Sequence, residues 1–311
     1  MGDSQLTVPA LSALDRAIAK VAETECACLS ADSTSEERAK LVECALESLD
    51  GLASRKRPAY NGWEALLYLT WYQPRQVHLA YSVLRRRFHD YYGPLRVVDL
   101  GCGAGAVQVA LAILAAQAPF VGEISVRGID RSRAMRRLGK KLWTAFLAEA
   151  MDSGLDRLSA VINAMNRSCS ASDYPTWVAS SDRRDEESVG GLSWLTAVHA
   201  VYEDNWVEFE ELYYDVHDRV NPCYELVTSR TKGDLVRALV SQPRGGRLAS
   251  DRAVPCWHGV VAKTTEWRRA LADALGSPDG LTSRYLRNEV GWNKKPIGGD
   301  VVRERSRSQA R

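Results

Sequence analysis

The chain has 311 residues, of which 45% are hydrophobic and 26% charged. It is too apolar for a wholly disordered polymer, and long enough for one large domain or a medium domain with an accessory part. Its 41 basic and 39 acidic side chains leave a net charge of +2. That is too mild for a general polyanion binder, so any nucleic-acid contact must come from local patches. Seven cysteines, an odd number without CxxC or HxxxH spacing, argue against a disulfide framework and a structural zinc, so no metal site is expected. The first residues lack a basic stretch followed by an apolar one, and no run approaches the ~18 uncharged apolar residues of a membrane span. A cytoplasmic protein without membrane contact is expected.

Along residues 6–52 apolar residues recur at spacings of three and four, as at Leu41, Ala45, Leu46 and Leu49, which predicts a helical opening segment. Ser33 or Ser35 with Glu36 and Glu37 offers a helix start inside it. A second helical stretch covers 63–71, breaks at Gln73-Pro74 and resumes over 75–88. At Leu95 the character changes. The apolar run Leu95–Leu100 stops in a glycine cluster and gives way to a long Ala/Val/Leu-rich helix ending at Gln117. Further strands are predicted at Ile124–Ile129, 158–163, 195–202, Tyr224–Ser229 and 257–263. Helices are predicted at 133–150, Trp206–Val220 and 233–240, and 168–191 reads as a polar insertion. Strands alternating with helices predict an α/β fold, a doubly wound, mostly parallel sheet with helices on both faces. The expected organisation is a helical N-terminal region 1–92, a Rossmann-like domain 93–275, and an extension 276–311 whose basic end, from Val301, is expected to be disordered.

The chemistry gathers at Val97-Val98-Asp99-Leu100-Gly101-Cys102-Gly103-Ala104-Gly105. An acid ends a buried strand two residues before a GxGxG turn that opens a helix. Missing side chains let a ligand approach the backbone, the helix N–H groups lie nearby, and the carboxylate suits an ammonium group. A second acid, Asp130, closes the next strand 29 residues after Gly101, where a carboxylate can accept two hydrogen bonds from a ribose diol. Read alone, such an Asp is a helix cap.

These residues resemble the first motif of the class I S-adenosylmethionine-dependent methyltransferases: two apolar residues, an acid, any residue, then GxGxG. The resemblance implies that S-adenosylmethionine is the cofactor, that Gly101, Cys102, Gly103 and Gly105 abut its amino-acid part, that Asp99 helps hold its ammonium directly or through water, and that Asp130 binds the ribose. The acid this family often carries near the adenine has no clear counterpart among Asn163, Asn166 and Asp173. Gly101, Gly103 and Ala106 also fit a relaxed GxGxxA fingerprint, the less favoured reading of an NAD-dependent oxidoreductase. Asp99 would repel a pyrophosphate there.

Methyl transfer is an in-line displacement, so alignment of acceptor and methyl supplies much of the catalysis. The end of the fourth strand points to His199, Tyr202 and Glu203 as acceptor-side residues, with a buried histidine and a capping turn as the alternatives. Asn221-Pro222-Cys223-Tyr224 resembles the Asn-Pro-Pro-Tyr motif of amino-group methyltransferases, although a helix-ending turn accounts for it more simply. Pro222-Cys223 and Pro255-Cys256 are similar to the Pro-Cys of cytosine-C5 RNA methyltransferases. Upstream, Arg75 or Gln73 could meet the cofactor's carboxylate, beside a stripe of Tyr68, Trp71 and Tyr72. Basic groups at 85–87, 131–141, Lys294-Lys295 and 303–311, interleaved with Trp143, Trp267, Tyr285 and Trp292, suggest an RNA acceptor ahead of a small molecule or protein. The alternative from another class is a cofactor-binding, non-catalytic assembly factor.

Overall fold

The computed structural model describes residues 4–50, 60–88, 93–118, 122–181, 192–198, 200, 205–229, 247–248, 262–275 and 301–306. Helices α1 (Ser4–Ser30), α2 (Ser35–Asp50) and α3 (Gly62–Phe88) precede the first strand. Helix α2 starts on a reciprocal cap one residue from the expected serines. Glu37 Oε2 accepts from the Thr34 backbone N–H at 2.8 Å, and the Glu37 N–H reaches Thr34 Oγ1 at 3.3 Å, which satisfies two otherwise orphaned donors. Helix α3 corrects the expected break at Gln73-Pro74, because it runs through Pro74 without interruption. An interior proline costs about 3 kcal/mol in isolation. Here most of the helix is buried, and hydrophobic burial over so many side chains exceeds that cost.

The next elements follow the sequence closely: β1 (Leu95–Leu100), α4 (Ala106–Gln117), β2 (Ile124–Ile129) and α5 (Arg133–Asp152). The strand expected at 158–163 is instead helix α6 (Asp156–Met165). Leu158, Ile162 and Met165, spaced four and three apart, are its buried face, a helical period that a short apolar run conceals. The third strand is β3 (Ser170–Ser172), two serines about an alanine at the sheet edge, followed by α7 (Tyr174–Ser181), both within the supposed insertion. Then come β4 (Leu192–Val198), α8 (Trp206–Val220), β5 (Tyr224–Ser229), the two-residue β6 (Arg247–Leu248), α9 (Ala262–Ala274) and β7 (Val301–Ser306). The helix expected at 233–240 and residues 257–261 of the late strand lie outside the described residues, whereas Ala262 and Lys263 open α9.

The sheet order is β3-β2-β1-β4-β5-β7-β6. Strands β1 to β5 pair in parallel, and β7 runs antiparallel to both neighbours. The expectation of a disordered tail is therefore corrected for Val301–Ser306, which forms a full strand against β5. A dinucleotide-binding sheet has the order 3-2-1-4-5-6, and here the last strand of the chain separates β5 from β6.

Alternating residues divide the core, as the pleat requires. Leu95, Val97, Trp194, Tyr224 and Leu226 join the cluster covered by α1 and α3 to α6, while Val98, Leu100, Leu195, Ala197 and Val227 face α7 and α8. The N-terminal helices share the first cluster with the sheet, so the change of sequence character near residue 92 is not a boundary of the core. Buried Glu25 on α1 takes Arg137 at 2.8 Å and Lys141 from α5. Asp15 caps α9, accepting from the Lys263 N–H at 2.7 Å and Thr264 Oγ1 at 2.8 Å.

Candidate active site

The crossover from β1 back to β4 leaves a crevice beyond the carboxyl ends of the strands, the place where open α/β sheets bind ligands. A cavity of about 900 Å³, its open mouth included, occupies that place. Its floor is Gly101, Gly103, Ile129 and Asp130, and its far wall comes from Ala200 and the start of α8.

The glycine turn has the conformation its sequence demands. Gly101 and Gly103 have φ of +64° and +52°, a region that side chains of L-residues adopt only at a cost. At Gly101 a Cβ would also lie 2.4 Å from the Ala200 Cβ, so the turn is pressed against the end of β4. The Gly103 N–H donates to Asp130 Oδ2 at 2.9 Å, and the Ser132 N–H donates to Oδ1 at 2.7 Å. Asp130 thus ties the end of β2 to the glycine turn, and it serves its own turn as well. The cap of α5 is Ser132, not Asp130; Asp130 holds the turn that leads to it and lines the cavity.

Asp99, the acid of the motif, does not line this cavity. It is 2% exposed, Oδ1 accepts from Thr196 Oγ1 at 2.7 Å, and it faces a second space behind the turn, shared with Cys102 and Gly105. Burial raises its pKa to about 7, against the lowering effect of the Thr196 hydrogen bond, and the nearby Asp130 charge adds to the rise. Burial likewise pushes the Cys102 thiol up. Of the residues expected to hold a cofactor, Gly101, Gly103 and Asp130 share the cavity, while Asp99, Cys102 and Gly105 lie behind it.

Arg75 is not among the cavity's lining residues. Gln76, about 100° further round the helix, lines it instead, and Gln73 Nε2 donates to the Ala104 carbonyl at 3.1 Å, fastening α3 to the turn. Tyr60 and Tyr68 complete the roof. Their rings meet edge to face at 4.9 Å, and Tyr72 stacks on Tyr68 at 4.8 Å. Tyr60 has a φ of +54°, and its carbonyl accepts from Ser132 Oγ at 3.2 Å. The hydroxyl that caps α5 therefore also pins the roof.

His199, Tyr202 and Glu203 lie outside the described residues, and so do Pro255-Cys256. The far wall is instead Asn205, which precedes α8, and Glu208, Phe209 and Leu212 of α8, with Tyr174 of α7. Their 0, 3, 4, 7 spacing is one face of a helix, a signal present in the sequence once the helix is placed. Asn221 ends α8 in the left-handed conformation, with φ +45° and its N–H on the His217 carbonyl at 2.8 Å. Asn221-Pro222-Cys223-Tyr224 is thus a helix-ending turn at the amino end of β5, across the sheet from the cavity.

Among the groups proposed to track RNA, Trp143 and Trp267 are each only 7% exposed. Arg137 and Lys141 are engaged by Glu25, and Arg87 lies over the Tyr224 ring at 5.7 Å. Tyr285, Trp292, Lys294 and Lys295 lie outside the described residues. No helix among the described residues is long and apolar enough to cross a membrane, and no metal-binding cluster occurs among them.

No protein-family model and no curated protein matches the chain. It is similar to several solved structures at low identity. A cyclopropane-fatty-acyl-phospholipid synthase-like protein from Lactobacillus casei is 11% identical with a TM-score of 0.39, over 75% of this chain and 91% of that one. A SAM-dependent methyltransferase from Agrobacterium tumefaciens is 14% identical with a TM-score of 0.39, over 75% and 62%. The plantazolicin methyltransferase BpumL, solved with a monoazolic desmethylPZN analog and SAH, is 9% identical with a TM-score of 0.39, over 88% and 100%. The strand order and the two helical layers make this chain a Rossmann-like α/β fold.

Proposed function

We propose that the chain binds S-adenosylmethionine in the cavity at the ends of β1, β2 and β4 and transfers its methyl group to a small molecule. One observation carries this reading: the left-handed glycine turn and the strand-ending Asp130 line the same cavity, under an aromatic roof. Asp130 presents a carboxylate at the wall of the cavity, and a carboxylate, an acceptor at both oxygens, suits a ribose diol. Gly103 leaves its backbone open to the ligand, and the faces of Tyr60 and Tyr68 suit a cation. When bound, S-adenosylmethionine supplies an electrophilic methyl on a sulfonium. The α8 face and Tyr174 then form the wall against which an acceptor is aligned.

Phe209, Leu212 and Tyr174 make that wall largely apolar, with Asn205 and Glu208 as its polar points. Such a concave surface suits a small molecule. RNA is the less supported acceptor, since Trp143 and Trp267 offer no exposed stacking faces. His199, Tyr202 and Glu203 adjoin Ala200 and Asn205 in sequence and are kept as candidates to orient the acceptor. Insertion of β7 between β5 and β6, with Asp99 beneath the turn, weighs against NAD.

Calorimetry tests the cofactor: S-adenosylhomocysteine should bind one site per chain and raise the melting temperature. Binding of NAD without S-adenosylhomocysteine would overturn the assignment. Labelled-methyl transfer into a metabolite extract tests the acceptor. Binding without transfer into metabolite, protein or RNA extracts would favour the non-catalytic alternative.

A further inference from the structure

Behind the glycine turn lies a second cavity of about 1080 Å³, mouth included, between α4, α5 and the β2–β3 edge. Gly103 is its common wall with the first. Residues 136, 139, 140 and 143 form one face of α5 turned toward it. Gly139 allows the close approach, because a Cβ there would come within 3.1 Å of the Ala104 backbone.

The polar groups left over in this space are complementary in charge. Trp143 is 7% exposed, yet its indole N–H meets no acceptor among the described residues. A buried unmet donor costs about 1–3 kcal/mol, which an external acceptor would recover. Lys140 also lines the cavity, and no carboxylate pairs with it among the described residues. Arg136 is occupied, donating to the Asp130 carbonyl and lying 3.6 Å from Asp173. On the opposite wall Asp99 gives Oδ1 to Thr196, and its Oδ2 has no donor among the described residues. Val126 and Cys169 supply apolar surface between the two ends.

We propose that this cavity binds a small α-amino acid, its ammonium on Asp99, its carboxylate on Lys140 and the Trp143 N–H, and a short apolar side chain against Val126 and Cys169. A simple anion would meet the Asp99 carboxylate, and a simple cation would meet Lys140. Only a zwitterion satisfies both ends. The site is separate from the cofactor cavity, and the inference does not depend on methyl transfer.

The test is calorimetric titration at pH 8 with glycine, L-alanine, L-valine and L-methionine, in the presence of saturating S-adenosylhomocysteine. At least one of the four should bind at one site per chain. Isobutylamine and isovalerate, which are valine without its carboxylate and without its ammonium, should bind at least about tenfold more weakly than valine, the loss expected for a charged hydrogen-bonded contact. Trp143→Phe keeps the ring and removes the N–H, and Lys140→Gln removes the charge. Each should weaken the amino acid at least about tenfold in a variant that still unfolds cooperatively in urea and keeps its S-adenosylhomocysteine affinity. Failure of all four amino acids to bind overturns the proposal. So does equal binding of the amine or carboxylate alone, or unchanged affinity in Trp143→Phe. Displacement by S-adenosylhomocysteine would show that its own amino-acid end fills the space, which also overturns a separate site.

Discussion

Replacing Gly101 with alanine probes how the turn meets β4. The added Cβ must adopt φ near +64° and would lie 2.4 Å from the Ala200 Cβ, where carbon atoms prefer about 3.5–4.0 Å. The left-handed conformation costs about 1–2 kcal/mol, and overpacking of this kind about 1–3 kcal/mol. Gly101→Ala should thus destabilise by about 2–5 kcal/mol. Ala200→Gly removes the opposing methyl, so in the double variant the clash disappears while the backbone strain remains. A double-mutant cycle by urea unfolding should therefore give a favourable coupling of about 1–3 kcal/mol. S-adenosylhomocysteine affinity should fall in Gly101→Ala and return in part in the double variant, since Gly101 and Ala200 both line the cavity. A coupling below about 0.5 kcal/mol, within ordinary non-additivity, would mean that the turn does not rest on Ala200, and the site geometry would be wrong.

Two further outcomes follow from the acids. Asp130→Ala leaves the Gly103 and Ser132 N–H groups without their acceptors, so urea unfolding should show a loss of about 2–4 kcal/mol at a half-buried site, together with at least a tenfold loss of S-adenosylhomocysteine affinity by calorimetry. Stability lost with affinity intact would reduce Asp130 to a structural tie between the end of β2 and the glycine turn. Asp99 has a folded-state pKa of about 7 against an ordinary 3.8, so the native state holds a proton that the unfolded chain releases. Its contribution is fully present below pH 3.8 and is lost as pH rises through about 7, which lowers stability across that window. Asp99→Asn should flatten this decline in urea midpoints measured from pH 4 to 8. Parallel profiles for the two proteins would contradict the buried placement.

The sequence is most legible where local pattern and tertiary environment agree. A six-residue apolar run closed by glycines leaves few alternatives, and β1, α4 and β2 stand where residues 95–129 indicate. Errors arise where one signal was too short or was overridden. Leu158 and Ile162 read as a strand because a brief apolar run has no period of its own, and Ser170–Ser172 pairs at an edge with no apolar signal at all. Pro74 marks a helix break by its covalent structure, yet burial of α3 on both sides carries the helix through. Val301–Ser306 is too basic to suggest a strand on composition, and its order comes from hydrogen bonds to β5, which no local pattern encodes. The far wall of the cavity is illegible for a different reason. Its helix is predicted, but which face of α8 lines the cavity depends on packing against β4 and β5.

Asp99 stands beside the glycine turn, as its motif position requires, yet does not line the cavity in front of it. Pleating places its side chain on the same face as Leu95 and Val97, beneath the turn, while Asp130 lies in the cavity in front of it. The two carboxylates therefore flank the glycine turn, and the Asp130 charge raises the cost of charging Asp99. A cation entering in front of the turn would offset that effect and favour ionisation of Asp99. The acid behind the turn thus adds to the negative field felt by a cationic ligand without touching it. This explains why an acid at that position suits an ammonium or sulfonium ligand better than a pyrophosphate even when the side chain is 2% exposed. In the proposed complex the contact with the ligand falls to Asp130, and the potential that selects its charge comes from both.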